Sequence, residues 1–300
     1  MDAVILLILI ALCTALGYLL ASKRKQDEPP GSIEPPGSVE PPGSDEPPPQ
    51  PIPPEPEELF KPEGANVPKP YHFPEKQAEA LRAMGIDWVR IPLGRRGIDP
   101  TPFIREGFHI LAVTDNYARD VPRYPEIPAW EFRNEANLMG KSPADYLIEL
   151  RAFYKYMRKY HPEKIILTSC AGGGMERRIR WNTELWRLLK DEDMPELVLN
   201  IHTYNDAVLH ELPIYKEALA GFANPLWITE FGVSDFERQA EIANRCYPAL
   251  KGLPRLEKVF WWALFDGEAG KDPFSLVWVY PEQIVYSPLG EQLKRSKRDG

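Results

Sequence analysis

Residues 129–168 read AWEFRNEANLMGKSPADYLIELRAFYKYMRKYHPEKIILT, and this stretch decides the fold. It opens on a short apolar run, 129–133, and breaks into a polar segment that contains Asn134 and Glu135. From Ser142 to Tyr160 the apolar residues recur at helical spacing, and the Ser142 hydroxyl is placed to accept from an unpaired N–H of the first turn. A second short run rich in isoleucine, 164–168, follows. Strand, crossing helix and strand again is the repeating unit of a parallel sheet, because parallel neighbours cannot be joined by a tight turn.

The same alternation extends in both directions. Apolar runs at 65–67, 88–92, 110–114, 197–201, 226–229 and 258–264 predict six further strands, and 74–84 and 235–250 predict further helices. The second and third crossovers leave room only for very short helices. Eight βα units in roughly 240 residues predict an α/β chain closed into a (β/α)8 TIM barrel rather than an open doubly wound sheet. The open sheet also lacks its signature. Gly172-Gly-Gly174 follows the fifth strand without a G-x-G-x-x-G or G-K-S/T pattern, so it reads as a tight turn and not as a phosphate loop.

Composition separates the barrel from what precedes it. All eight Trp lie between Trp88 and Trp278, whereas 13 of the 33 Pro fall between Pro29 and Pro56. Three segments are expected: a transmembrane anchor with a basic flank (1–25), a disordered Pro-rich linker (26–57) and the barrel (58–300). Residues 3–21 carry no charge, which is long enough for a helix to cross a bilayer. A cleaved signal peptide fits less well, since Asp2 stands where a positive n-region belongs. The linker repeats Glu-Pro-Pro-Gly-Ser with a period of six, and polyproline II at ~3.1 Å per residue would hold the barrel up to ~90 Å from the membrane. Lys23-Arg24-Lys25 would leave the barrel in the cytoplasm by the positive-inside rule. A long spacer is of more use outside, and the expectation is a single-pass membrane protein with an extracytoplasmic domain.

Of the formal net charge of −8, the segment up to residue 57 carries all but two units, so the folded part is nearly neutral. Without a basic stripe, nucleic acid is not an expected partner, and an uncharged substrate suits the domain better. Cys13, Cys170 and Cys246 are too scattered for a disulfide framework or a zinc site and read as structural. His210-Glu211 lacks the second His of a zinc-protease helix, and no G-x-S-x-G appears. Neither metal nor cofactor is expected, and the protein is expected to be a monomer.

In a barrel the chemistry comes from residues at the C-terminal ends of the strands. Those ends carry Arg90 (strand two), Asp115, Asn116 and Tyr117 (three), Asn134 and Glu135 (four), His202 and Tyr204 (six), Glu230 (seven), and Trp261 and Trp262 (eight). Two glutamates ending strands four and seven would face each other across the mouth. A carboxyl pair ~5–5.5 Å apart can cleave a glycosidic bond by double displacement, one group as acid and then base, the other as nucleophile. Of the two tryptophans, one should face the helices and the other the substrate, because strand neighbours point to opposite sides.

The segments WEFRNEAN, LNIHTY, LWITEFG and FWWALFD, together with Arg90-Ile-Pro92 and the closing FSLVWVYPEQIVYSPLGEQL, resemble the motifs of clan A glycoside hydrolases, family 5 (cellulase/mannanase-like) above all. The resemblance spans about residues 63–293. It implies Glu135 as acid/base and Glu230 as nucleophile. It also implies Asn134 on the sugar 2-hydroxyl, His202 and Tyr204 beside the nucleophile, and Arg90 beneath it. Tyr204 and Arg90 would favour the ionised form of Glu230, and the approach of a second carboxylate would favour the protonated form of Glu135. Trp262, or in its place Trp261, would lie under the sugar of the cleaved subsite. Asp115, Asn116 and Tyr117 stand where family 5 usually has a His.

The leading expectation is therefore a retaining glycosidase acting on β-glycosidic bonds of a neutral oligosaccharide or polysaccharide. A catalytically weak or inactive carbohydrate-binding barrel is the alternative, motivated by strand three and by short loops after strands two and three. An unrelated hydrolase or lyase using the same rim is a third.

Overall fold

The computed structural model describes residues 58–68, 73–93, 98–264 and 273–299. The expected anchor (1–25) and linker (26–57) lie outside the described residues. Among the described residues no helix is long and apolar enough to cross a membrane.

Eight parallel strands close into a barrel in chain order: β1 (Gly64–Asn66), β2 (Trp88–Pro92), β3 (His109–Thr114), β4 (Ala129–Phe132), β5 (Ile165–Leu167), β6 (Leu197–Tyr204), β7 (Leu226–Gly232) and β8 (Leu256–Trp261). The ring closes through Ala65 opposite Trp261. The crossovers are α1 (Pro74–Met84), α2 (Thr101–Arg105), α3 (Tyr117–Arg123), α4 (Pro143–Tyr160), α5 (Met175–Leu189), α6 (Ala207–Ala218) and α7 (Gln239–Lys251). After β8 come an antiparallel pair, β9 (Val277–Val279) and β10 (Ile284–Tyr286), and a last helix α8 (Pro288–Asp299). The expected TIM barrel is the architecture found. The second and third crossover helices are short, with five and seven residues.

Local signals explain the boundaries. Ser142 caps α4 by accepting from the Asp145 N–H, as its position suggested. Asn116 caps α3 in the same way, its side chain accepting from the Arg119 N–H. α1 ends at Gly85, whose φ of 71° lies in the left-handed region that glycine enters without strain. The helix expected over 235–250 is divided, a 3-10 turn at Phe236–Arg238 leading into α7.

Strand parity sorts the core into two parts. Outward-facing Val89, Ile110, Ala112, Trp130, Ile166, Leu199, Ile228 and Val259 pack beneath the helices in the main core. Inward-facing Leu111, Ala129, Leu167, Val198, Trp227 and Phe260 form a separate apolar plug inside the barrel, with Trp88 and Ile165 against it. This plug excludes water from below, so polar residues one step further along the strands lie in a medium that strengthens their interactions.

The pairing slips beside Ile201, and this matters for the site. Across β6 and β7, Ile201 pairs with Ile228 but His202 pairs with Glu230, so Thr229 has no residue opposite it. Such a β-bulge lets two consecutive residues reach the same side.

Candidate active site

Above the plug lies a layer of mostly polar side chains. Arg90 on β2 is its hub: its Nε and Nη2 donate to Glu131 at 2.7 and 2.8 Å. Nη1 donates to Asn66 Oδ1 at 2.8 Å and to Glu230 Oε1 at 2.6 Å, and Nη2 also reaches Asn134 Oδ1 at 2.7 Å. Arg90 and Glu131 are almost entirely buried. A buried guanidinium is costly unless every N–H is satisfied; here two carboxylates and two amide oxygens do so, and they keep Arg90 charged. Asn66 in turn donates to the carbonyls of Thr229 and Trp261, tying β1 to β7 and β8.

Glu230 receives Arg90 on Oε1 and the Tyr204 hydroxyl on Oε2. Burial first, and the Glu230 carboxylate beside it second, push the Tyr204 phenol well above its ordinary range, so it remains the donor. Both contacts are donated to Glu230, one of them by a charged guanidinium. The Tyr204 ring is held from behind by Arg178 of α5, whose guanidinium carbon lies 5.7 Å from the ring centroid and whose Nη2 pairs with buried Glu211 of α6.

Glu135 sits differently. It follows β4 in a turn where Arg133 and Glu135 both take positive φ, 66° and 45°, which brings the chain sharply around Asn134. Its side chain is 21% exposed against 3% for Glu230. Gly172 leaves the space that the carboxyl occupies, since a Cβ there would stand 2.3 Å from the Glu135 carboxyl carbon. Asn137 fixes Gly172 by donating to its carbonyl at 2.9 Å and accepting from its N–H at 2.8 Å. The Gly172-Gly-Gly174 segment is thus a cradle for Glu135 as well as a turn, with Gly173 at φ 89°.

His202 lies between the two glutamates, its Nδ1 3.3 Å from Glu135 Oε1 and its Nε2 3.5 Å from Glu230 Oε1. One oxygen of each carboxylate and a nitrogen of His202 all lie within 4.8 Å of one another. Such a trio has the atoms to ligate a cation. The Arg90 guanidinium and the Tyr204 hydroxyl already engage both oxygens of Glu230, and the positive charge of Arg90 opposes a second cation there. Burial, with the charge of Arg90 adding to it against the opposing pull of Glu230, lowers His202 to about 4, so the ring is neutral near neutral pH.

A cavity of about 260 Å³ opens beside Glu230, lined by Asn66, Pro68, Arg90, Asp115, Asn134 and Trp262 among others. The residues expected at the site divide accordingly. Arg90, Asn134, Glu135, His202, Tyr204 and Glu230 converge, and Trp262 lines the cavity. Trp261 does not: it faces the helices, fully buried against Phe60 and Phe231, with its indole N–H on the Phe274 carbonyl. Asn116 does not either, since its side chain is spent on capping α3, and Asp115 lines the cavity in its place, 3.7 Å from Arg133. Sequence reading missed Asn66, Glu131, Gly172, Asn200 and Thr229. Parity offered a signal for some of them, since Glu131 and Asn200 are polar residues two positions beyond inward-facing Ala129 and Val198.

No protein-family model and no curated protein matches the chain. Solved structures do. The endo-beta-1,4-glucanase Xac0029 from Xanthomonas axonopodis pv. citri is 14% identical over 80% of this chain and 99% of its own, with a TM-score of 0.60. A triple mutant of the endo-beta-1,4-glucanase Xac0030 from the same organism is 13% identical over 80% of this chain and 100% of its own, with a TM-score of 0.62. A Saccharomyces cerevisiae Gas2p mutant in complex with laminaritetraose and laminaripentaose is 13% identical over 79% of this chain and 63% of its own, with a TM-score of 0.56. This chain therefore spans less than two thirds of Gas2p. At such identities the likeness is one of fold, and the fold is the eight-stranded parallel barrel that these clan A glycoside hydrolases have.

Proposed function

We propose that the barrel is a retaining glycoside hydrolase that cleaves β-glycosidic bonds of a neutral glycan, with Glu230 as nucleophile and Glu135 as acid/base. The observation that carries this reading is the asymmetry of two glutamates within one small space. Glu230 is buried and receives hydrogen bonds from Arg90 and Tyr204, while Glu135 is partly open to solvent, where a leaving group and then a water can reach it. Carboxylate oxygens within 4.8 Å of each other suit a double displacement, whereas an inverting pair stands about 6.5 Å or more apart to admit a water.

In the first step the Glu230 carboxylate bonds to the anomeric carbon while the glycosidic C–O bond breaks. The departing oxygen takes its electron pair and the Glu135 proton. In the second step water attacks the same carbon and gives a proton to Glu135, and the Glu230 oxygen leaves with the electrons of the ester bond. Asn134, held by Arg90, would meet the 2-hydroxyl of the sugar in the cavity, and Trp262 would pack on its apolar face. The protein is read as tethered through residues 1–57 with the barrel extracytoplasmic, which protease protection of membrane vesicles would check.

The test is incubation with β-1,4- and β-1,3-glucan oligomers, β-mannan oligomers and aryl β-glycosides, with the anomeric form of the first product followed by NMR. Retention is expected, and loss of turnover in Glu230→Ala. Undiminished turnover in that variant, or inversion, would overturn the assignment. Asp115 in the place of the family's usual His favours a second reading as a glycan-binding barrel, which oligosaccharide binding without any product would support.

A further inference from the structure

Glu135 can act as an acid only if it holds a proton before the substrate arrives, and the groups behind it decide whether it does. The chain of contacts begins at Asn200, fully buried on β6. Its Nδ2 donates to the Thr168 carbonyl at 3.3 Å, and its Oδ1 accepts from the Thr229 N–H at 3.4 Å and from the Thr229 hydroxyl at 2.7 Å. Exchanging the amide oxygen and nitrogen would put oxygen against the Thr168 carbonyl and nitrogen against the Thr229 N–H, so only this orientation satisfies both ends. With its proton committed to Asn200, the Thr229 oxygen can only accept from His202 Nε2, 3.1 Å away. Nε2 also faces a second acceptor, Glu230 Oε1 at 3.5 Å. A neutral ring with its proton on Nε2 presents a bare lone pair from Nδ1, and this lone pair points at Glu135 Oε1, 3.3 Å away.

We propose that Asn200 and Thr229 are positioning residues that fix His202 as the Nε2–H tautomer, so that its Nδ1 accepts from a protonated Glu135 and holds the acid's proton in place until the glycosidic oxygen takes it. The proposal deepens the glycosidase reading and rests on it for its kinetic consequence, but not for its structural one. The ring is neutral because it is buried, with Arg90 and Arg178 adding to that effect against the pull of Glu230 and Glu131. Glu135, Tyr204 and Cys170 are the other titratable groups around it. Tyr204 and Cys170 are both pushed far up by burial, so neither exchanges a proton with the ring near neutral pH. Once Glu135 has given its proton away, the Nδ1 lone pair faces a carboxylate. That repulsion favours recovery of a proton from the attacking water, as the second step needs.

The bulge makes this possible. Thr229 and Glu230 are adjacent in sequence, yet both reach His202 Nε2, because Thr229 has no partner across the β6–β7 pairing.

The test reads the tautomer directly. In the full-length chain labelled with 15N-histidine, long-range proton–nitrogen correlation, with the His202 signals assigned through His202→Gln, should show a protonated Nε2 and a bare Nδ1 near neutral pH. Thr229→Val leaves Nε2 only the more distant Glu230 Oε1, and Asn200→Leu frees the Thr229 hydroxyl to donate to Nε2; both should raise the share of ring protonated at Nδ1, while Thr229→Ser should keep the proton on Nε2. A wild-type ring protonated at Nδ1, or folded Thr229→Val and Asn200→Leu variants with unchanged nitrogen shifts, would overturn the proposal whether or not the protein turns over any substrate. If Asn200→Leu does not fold, Thr229→Val beside Thr229→Ser decides alone. The kinetic arm is separate. With an active substrate in hand, the alkaline limb of kcat/KM should move down by about one pH unit in Thr229→Val and return in Thr229→Ser, and a limb that does not move overturns the proton-holding role.

Discussion

Gly172 and Glu135 share one volume: a methyl group on the glycine would stand 2.3 Å from the carboxyl carbon and from Oε1 of the glutamate. Unlike Gly173, Gly172 is not in the left-handed region, so alanine fits its backbone and the conflict is with the side chain alone. Gly172→Ala is expected to push the Glu135 carboxyl off its position and lower kcat/KM by about a hundredfold, the usual consequence of misplacing a reacting group by an ångström. The unfolding midpoint should move far less than the rate does. Steady-state kinetics beside a thermal melt checks both halves.

The stability of the barrel should fall in mild acid because of His202. The ring has an ordinary value of 6.5 and is lowered to about 4 when folded, burial being the main cause. Between those values the unfolded chain takes up a proton that the folded chain refuses, so stability is lost as the pH falls from 6.5 toward 4. The slope from this one group approaches ~1.4 kcal/mol per pH unit. Urea unfolding at several pH values should show a flatter slope over that window in His202→Gln.

Replacing Arg90 tests the polar layer. Arg90→Met removes the guanidinium that satisfies Glu131, whose side chain is completely buried. The loss is expected to be ~3–5 kcal/mol, since a carboxylate would remain in the barrel with no counter-charge. Changing Glu131 to Leu in the same chain should return part of it. Denaturant midpoints of the single and double variants give the comparison.

The pair behind Tyr204 gives a further prediction. Arg178 lies over the Tyr204 ring and pairs with Glu211, whose carboxyl is pushed up by burial against the pull of Arg178. Arg178→Met and Glu211→Met should each destabilise. Combining them should cost less than the two single losses together, with a coupling on the order of 1–3 kcal/mol. Arg178→Met should also lower kcat, because the tyrosine that donates to Glu230 loses its support.

Much of this could be read from the chain itself, for identifiable reasons. Glu135 and Glu230 stood out because each ends a strand and strand ends face the barrel mouth. Parity alone required Trp261 and Trp262 to part company, and the structure puts Trp261 in the core and Trp262 on the cavity. Asn116 was misjudged because an asparagine before a short helix is equally suited to capping, and here the cap claims it. Glu131 and Asn200 escaped notice because they lie inside strands rather than at their ends, where a polar residue in an apolar run looks like an exception and not a layer. Thr229 lies two positions beyond inward-facing Trp227, but counting back from Glu230 puts it among the helices, and only the bulge lets both residues face inward. Gly172 looked like turn chemistry because nothing in sequence tells a glycine needed for its φ from one needed for its missing side chain. The β9–β10 pair and helices α5 and α6 have no counterpart in that reading: α5 spreads its apolar residues among many charges, Pro213 interrupts α6, and the antiparallel pair lies outside the βα repeat.

The slipped pairing beside Ile201 also says how the barrel would be disarmed without touching either glutamate. Shortening β7 by one residue at Thr229 would give every remaining residue a neighbour across the gap, and the sheet would be more regular than before. Glu230 would keep its inward place opposite His202, but the hydroxyl that meets His202 Nε2 would be gone and Asn200 Oδ1 would lose both of its donors. A search for kindred chains should therefore weigh the spacing between Ile228 and Glu230 as heavily as the acids themselves, because one lost residue there leaves both acids in place and strips the support from the histidine between them.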